Sequence, residues 1–85
     1  MIEKRYPLVR IEWVDSNGWN GWIDTHTNID NEALRCVSVG WLVRSTKASK
    51  AITAHLADGD PGQMHGIMQI PCRAITRITH LKLPK

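Results

Sequence analysis

The sequence predicts an all-β chain folded as a small five-stranded barrel with one short helical turn, and three observations carry that expectation. The first is Cys36 to Val43, CVSVGWLV, a run of β-branched and aromatic residues with a glycine inside it. Strand side chains alternate faces, so Val37, Val39, Trp41 and Val43 form one fully apolar face, and Cys36, Ser38, Gly40 and Leu42 a small or mixed one. Gly40 stands where a strand bends sharply or admits a second backbone. The second observation is that four further stretches carry strand patterns. The third is that strong turn signals separate them.

Pro7 marks the entry to the first strand, with residues 1–6 expected to fray. In LVRIEWVD, from Leu8, Val9, Ile11 and Trp13 fall on one face and Arg10 and Glu12 on the other, the pattern of a half-buried strand. Asp15, Ser16, Asn17 and Gly18 then form a turn cluster. Trp22 and Ile23 are expected to make a short strand. Asn28 to Leu34 offers Asn and Asp caps ahead of a single helical turn through Glu32, Ala33 and Leu34.

After the central strand, Arg44 to Lys50 is a polar connection. Lys50 to Ala57 alternates again, with Ile52, Ala54 and Leu56 opposite Thr53 and His55. Asp58-Gly59-Asp60-Pro61-Gly62 is a strong turn signal. Met64 to Ile70 is the fourth strand, closed by Pro71, which has no N–H to donate. Cys72, Arg73 and Ala74 turn into Ile75 to Leu81, where Ile75, Ile78 and Leu81 lie three apart, a helical spacing. Eight residues are few for a helix and the Ile and Thr content suits a strand, so a strand whose first residue sits in the preceding turn is expected. Five strands with short connections, a bent central strand and a closing strand, tight turn, strand unit describe an Sm-like barrel.

With 85 residues the chain is expected to be one domain, burying about two-thirds of its unfolded surface. Phe is absent, so Trp13, Trp19, Trp22 and Trp41 carry the aromatic mass. No apolar run approaches the roughly 18 residues of a membrane span, and MIEKRYPLVR has no apolar signal core. A soluble, cytoplasmic chain with no membrane partner is expected. Cys36 and Cys72 lack zinc-site spacing and do not make a disulfide framework, so two reduced thiols are favoured over a bridge. Charge is uneven: residues 1–43 carry a net −2 and residues 44–85 a net +5, with no acid after Asp60. Such a half attracts phosphates, and a solvated edge strand decorated with Lys and Arg looks the same.

The blocks LVRIEWVDS, GW, RCVSVGWLV and GIMQIPCRAITRITHL resemble a family of small uncharacterised proteins encoded by phages and prophages, over Leu8 to Leu81. The resemblance implies a phage origin, a place in the host cytoplasm and a compact β fold, and it transfers no catalytic residue. More weakly, GIMQIPCRAITRI is similar in layout to the last two strands of Sm and Hfq-type proteins, whose tight turn lines a nucleotide pocket in a ring. Pro71, Cys72 and Arg73 stand here in place of the Gly-Asn or Lys-His signatures of that pocket.

His26, His55, His65 and His80 are scattered, and none of the familiar hydrolase, metalloprotease or phosphate-loop strings occurs, so no enzyme is expected. Asp24 with His26 reads as a loop turn held by its own side chains. His55 and His65 flank a tight turn and can face each other across a hairpin, but a zinc site needs two more ligands, with His80 or Cys72 the only candidates. Exposed histidines without metal, and no cofactor, are expected.

The positive expectation is ligand binding. Trp19 and Trp22 lie in a Gly- and Asn-rich loop where an exposed indole stacks on a nucleobase, with His26 beside them; Arg73 and Arg77 supply forked donors to phosphate. The competing reading has Trp22 plugging the barrel and Trp19 covering a neighbour. Met64, Ile67, Met68 and Ile70 in one strand point to pairing with another copy. The sequence thus suggests a non-enzymatic homo-oligomer that captures a nucleotide-like host ligand as an anti-defence protein. The alternative is an RNA-binding or host-protein docking module.

Overall fold

The structure, a computed structural model, describes residues 6–16, 21–28 and 33–83. Five strands form one antiparallel sheet: β1 (Leu8–Asp15), β2 (Leu34–Ser45), β3 (Ser49–Ala57), β4 (Gln63–Pro71) and β5 (Ile75–His80), in the order β4-β3-β2-β1-β5. The all-β expectation holds. No ladder joins β4 to β5 among the described residues, so the sheet is open where a closed barrel was expected. No described helix is long and apolar enough to cross a membrane.

β2 is the shared strand. Residues 34–41 pair with β1, and residues 41–45 pair with β3, so each half of the strand serves a different neighbour. The sheet folds about it, bringing Ile52 and Ile70 from the β3–β4 side onto Val9 and Ile11 of β1; these four form the buried cluster. Trp13, Leu42, Ala74, Ile75 and Ile78 pack around it. Val9, Ile11 and Trp13 thus share the inner face, as their alternation predicts.

The face of β2 that meets this core is the small one. Cross-strand partners share a face, and Val9 pairs with Gly40, Ile11 with Ser38 and Trp13 with Cys36. The apolar row goes outward, leaving Val37 56% and Val39 54% exposed. The reason is room: a Cβ at residue 40 would stand 2.8 Å from the Thr53 carbonyl oxygen and 3.2 Å from Ile52 Cβ. Only glycine lets the two backbones come this close. The Trp13 indole N–H, turned inward, donates to Ser38 Oγ at 3.0 Å.

Thr53 is wholly buried, and its hydroxyl mends a gap. The β3–β4 ladder pairs Thr53 with Ile67 and His55 with His65 but skips the step between, where Gly66 has φ +76°. Thr53 Oγ1 donates to the His65 carbonyl at 2.8 Å and lies 3.2 Å from that of His55.

Two sequence expectations change here. Trp22 and Ile23 are irregular and exposed, and they enter no ladder among the described residues. Of the helical turn expected through Glu32, Ala33 and Leu34, Glu32 lies outside the described residues, Ala33 is irregular and Leu34 already belongs to β2. The 3-10 turn Cys72–Ala74 is instead a helical element of the described chain, its Cys72 carbonyl accepting the Ile75 N–H.

Ile75 therefore closes that turn and opens β5, as expected, but the three-residue spacing has a further cause. Glu12 pairs with Arg77 and Trp13 with Ile75, so Thr76 is the extra residue of a bulge. The bulge resets the alternation and keeps both Ile75 and Ile78 on the core. Thr76 Oγ1 donates to the Glu12 carbonyl at 3.1 Å.

Thr53→Val is expected to cost about 1–3 kcal/mol of unfolding free energy, because it keeps the volume and removes a buried donor; Thr53→Ser should retain most of it. Gly40→Ala should cost about 1–3 kcal/mol by forcing β2 from β3. Urea unfolding of the three variants checks both.

Candidate functional site

Three connections converge on one end of the sheet. The β2–β3 turn is closed by the Thr46 N–H donating to the Ser49 carbonyl at 2.9 Å, while Thr46 Oγ1 accepts from the N–H groups of Ala48 and Ser49 at 3.2 and 3.1 Å. The 3-10 turn is tied to it by the Cys72 N–H on the Ala48 carbonyl, 2.8 Å. Two residues beyond Trp13, the partner of Ile75, β1 ends at Asp15, where the long β1–β2 loop starts.

This end of the sheet carries four cations. Arg44, Lys47 and Lys50 flank the β2–β3 turn, and Arg73 is exposed on the 3-10 turn fastened to it. Among the described residues no ion pair engages any of the four; the two ion pairs lie elsewhere, on Glu12. Lys50 Nζ donates to Ser45 Oγ, which holds its ammonium against the turn. Positive groups on one end of a sheet without a carboxylate partner raise the local potential and attract anions. The sequence pointed to Arg73 but missed Arg44, Lys47 and Lys50; the acid-free run from Ala33 to Ala57 was the signal that could have found them.

Arg77 stands apart on the outer face. Its Nε lies 4.0 Å from Glu12 Oε2, which also accepts from Arg10 Nη1 at 3.0 Å. A phosphate approaching Arg77 must compete with that carboxylate. Beside Glu12 a cavity of about 480 Å³ opens at the root of the β1–β2 loop, lined by Glu12, Trp13, Val14, Arg35, Cys36, Val37 and Thr76.

The loop residues sort differently. Trp22 is fully exposed, so it does not plug the barrel. His26 is exposed within a turn: Asp24 Oδ1 accepts its N–H at 3.0 Å and the Asp24 carbonyl accepts that of Thr27 at 2.9 Å, the self-stabilised turn expected for Asp-Thr-His. Trp19 lies outside the described residues. No hydrogen bond or ion pair among the described residues joins this loop to Arg73 or Arg77.

His55 and His65 do face each other across β3 and β4, ring centroids 5.9 Å apart. No third His, Cys, Asp or Glu joins them in a metal-holding group among the described residues. Cys36 and Cys72 are free thiols, near the carbonyls of Leu34 and Thr46.

Trp41 is partly buried, and its indole N–H is hidden from water without an acceptor. A hidden donor left unpaired costs about 1–3 kcal/mol. No known family model, curated protein or solved structure matches the chain.

Trp41→Phe keeps most of the ring and deletes the orphan donor, so its thermal midpoint should equal or exceed that of the parent. Trp41→Ala should lose about 2–3 kcal/mol. A drop with Phe as large as with Ala would show that the indole N–H finds an acceptor in solution.

Proposed function

We propose that this chain is a non-enzymatic binding protein for a phosphate-bearing, nucleotide-like ligand and works as a homo-oligomer. The observation that carries this reading is that Lys47 on the β2–β3 turn, Arg44 and Lys50 on the strand ends flanking it, and Arg73 on the 3-10 turn tied to it backbone to backbone have no carboxylate partner among the described residues. Arg forks and Lys ammoniums supply the charge-assisted hydrogen bonds a phosphate needs. Trp22, an indole with both faces free, supplies a stacking surface, with Trp19, His26 and Arg77 completing the set the sequence singled out. The finer parts of the proposal are an Sm-like arrangement of the five strands, an origin in a phage and action in the host cytoplasm. There the chain would sequester a signalling nucleotide and so blunt host defence. These parts rest on the sequence resemblance and on the strand, 3-10 turn, strand ending.

A second reading is favoured by a different observation. Val37, Val39, Met64, Ile67 and Met68 are each about half exposed on regular strands, the kind of surface a protein partner covers. Salt separates the readings. Binding of a phosphate ligand or RNA weakens steeply as salt rises, in proportion to the charges neutralised, whereas docking on an apolar face tolerates salt.

Titration with a panel of linear and cyclic nucleotides, read by tryptophan emission and calorimetry, is expected to show saturable binding. Lys47→Ala or Arg73→Ala should weaken it at least about tenfold. Trp22→Ala should abolish the emission change. Silence across the panel together with salt-independent capture of a protein would replace the nucleotide reading by the docking one.

A further inference from the structure

The β3–β4 pair runs on past the rest of the sheet. Trp41 opposite Thr53 is the outermost pair between β2 and β3, so beyond Thr53 the strand β3 has β4 alone beside it among the described residues. The core stops at the same place: of residues 54–57 and 63–67, only Leu56 is less than exposed. A two-stranded arm with no core beneath it is marginally stable in water.

This arm carries the two opposed histidines. His55 and His65 are directly paired, with ring centroids 5.9 Å apart. Two imidazoles that share one ion through N–metal bonds of about 2.0–2.1 Å have centroids roughly 5–6 Å apart, so the pair already stands at coordinating separation. Both rings are exposed and free to turn their nitrogens to a common point. Their backbones are fixed: the buried Thr53 hydroxyl donates to the His65 carbonyl at 2.8 Å and lies 3.2 Å from that of His55. One side chain rooted in the core thus ties both strands at the base of the pair, and preorganised ligands lose little freedom on binding. The local charge also favours a cation. Residues 51–72 hold no Lys or Arg, and their turn holds Asp58 and Asp60.

We propose that His55 and His65 bind one divalent transition-metal ion of the imidazole-seeking class, nickel or copper, with water filling its remaining positions. The expectation of metal-free histidines rested on the four protein ligands of a structural zinc site, and no third side chain supplies them among the described residues. Nickel(II) and copper(II) stand high in the affinity order for nitrogen ligands, and two imidazoles with water suit them. Bound there, the ion bridges β3 and β4 where no other strand supports them, so it favours the folded arm over the unfolded one. The site is independent of the phosphate reading, which concerns the cations of other turns.

The test titrates Ni²⁺ alone into the full chain, nickel being chosen because it does not oxidise the free thiols Cys36 and Cys72. Calorimetry is expected to show saturable binding of one ion per chain, and the thermal midpoint is expected to rise with added Ni²⁺. His55→Ala or His65→Ala should each weaken binding at least about tenfold, and the double variant should lose the midpoint rise. His80→Ala, at an exposed position on β5, should change neither. In the unsubstituted chain, paramagnetic Ni²⁺ should broaden the amide signals of residues 53–57 and 63–67 before any others, a readout that needs no variant. Absence of saturable binding overturns the proposal. So does binding that survives in the double variant, or broadening that begins at Cys36, Cys72, His26 or His80.

Discussion

The approach of β2 to the Thr53 carbonyl at Gly40 is the constraint on which the rest depends. With no side chain at that position, the backbone of β3 moves in to a distance no Cβ would permit. β2 then serves β1 with one half and β3 with the other, and the sheet can turn over on itself to set Ile52 and Ile70 against Val9 and Ile11. The inner face of β2 has to be small because the space there is already taken by those residues. Its apolar side chains are left outside as a result.

The same folding sets the cation-bearing end. Once the β3–β4 half lies over β1, the chain leaving β4 is beside the β2–β3 turn, and one 3-10 turn suffices to reach β5. Residues far apart in sequence, Ala48 and Cys72, become neighbours through one backbone hydrogen bond, which ties the turn of Lys47 to that of Arg73. The bulge at Thr76 belongs to this junction too, since it lets β5 enter in register and still present Ile75 and Ile78 inward.

The cations and the uncovered valines lie on different parts of this frame. Lys47 and Arg73 sit on turns, and Arg44 and Lys50 on the strand ends that flank one of them, where water screens them only partly from an incoming anion. The uncovered valines sit on a regular strand, where position is set by the ladder with β1.

What the sequence by itself determined was the local part. Alternation placed β1, β2, β3 and β4, Gly40 marked the close approach, and Asp24-Thr25-His26 announced its own turn, because each depends on residues within a few positions of one another. The β5 reading succeeded on composition, although the bulge behind its odd spacing depends on pairing with Glu12 and Trp13, some sixty residues away in sequence. Only the tertiary structure decided which face of β2 is buried, since that turns on the bulk arriving from β1, β3 and β4 and not on the hydrophobicity of β2 itself. It also decided that Arg44, Lys47 and Lys50 join Arg73, that Arg77 is held beside Glu12, and that Trp22 stands free: charge and exposure are properties of a surface, and a surface exists only once distant segments meet.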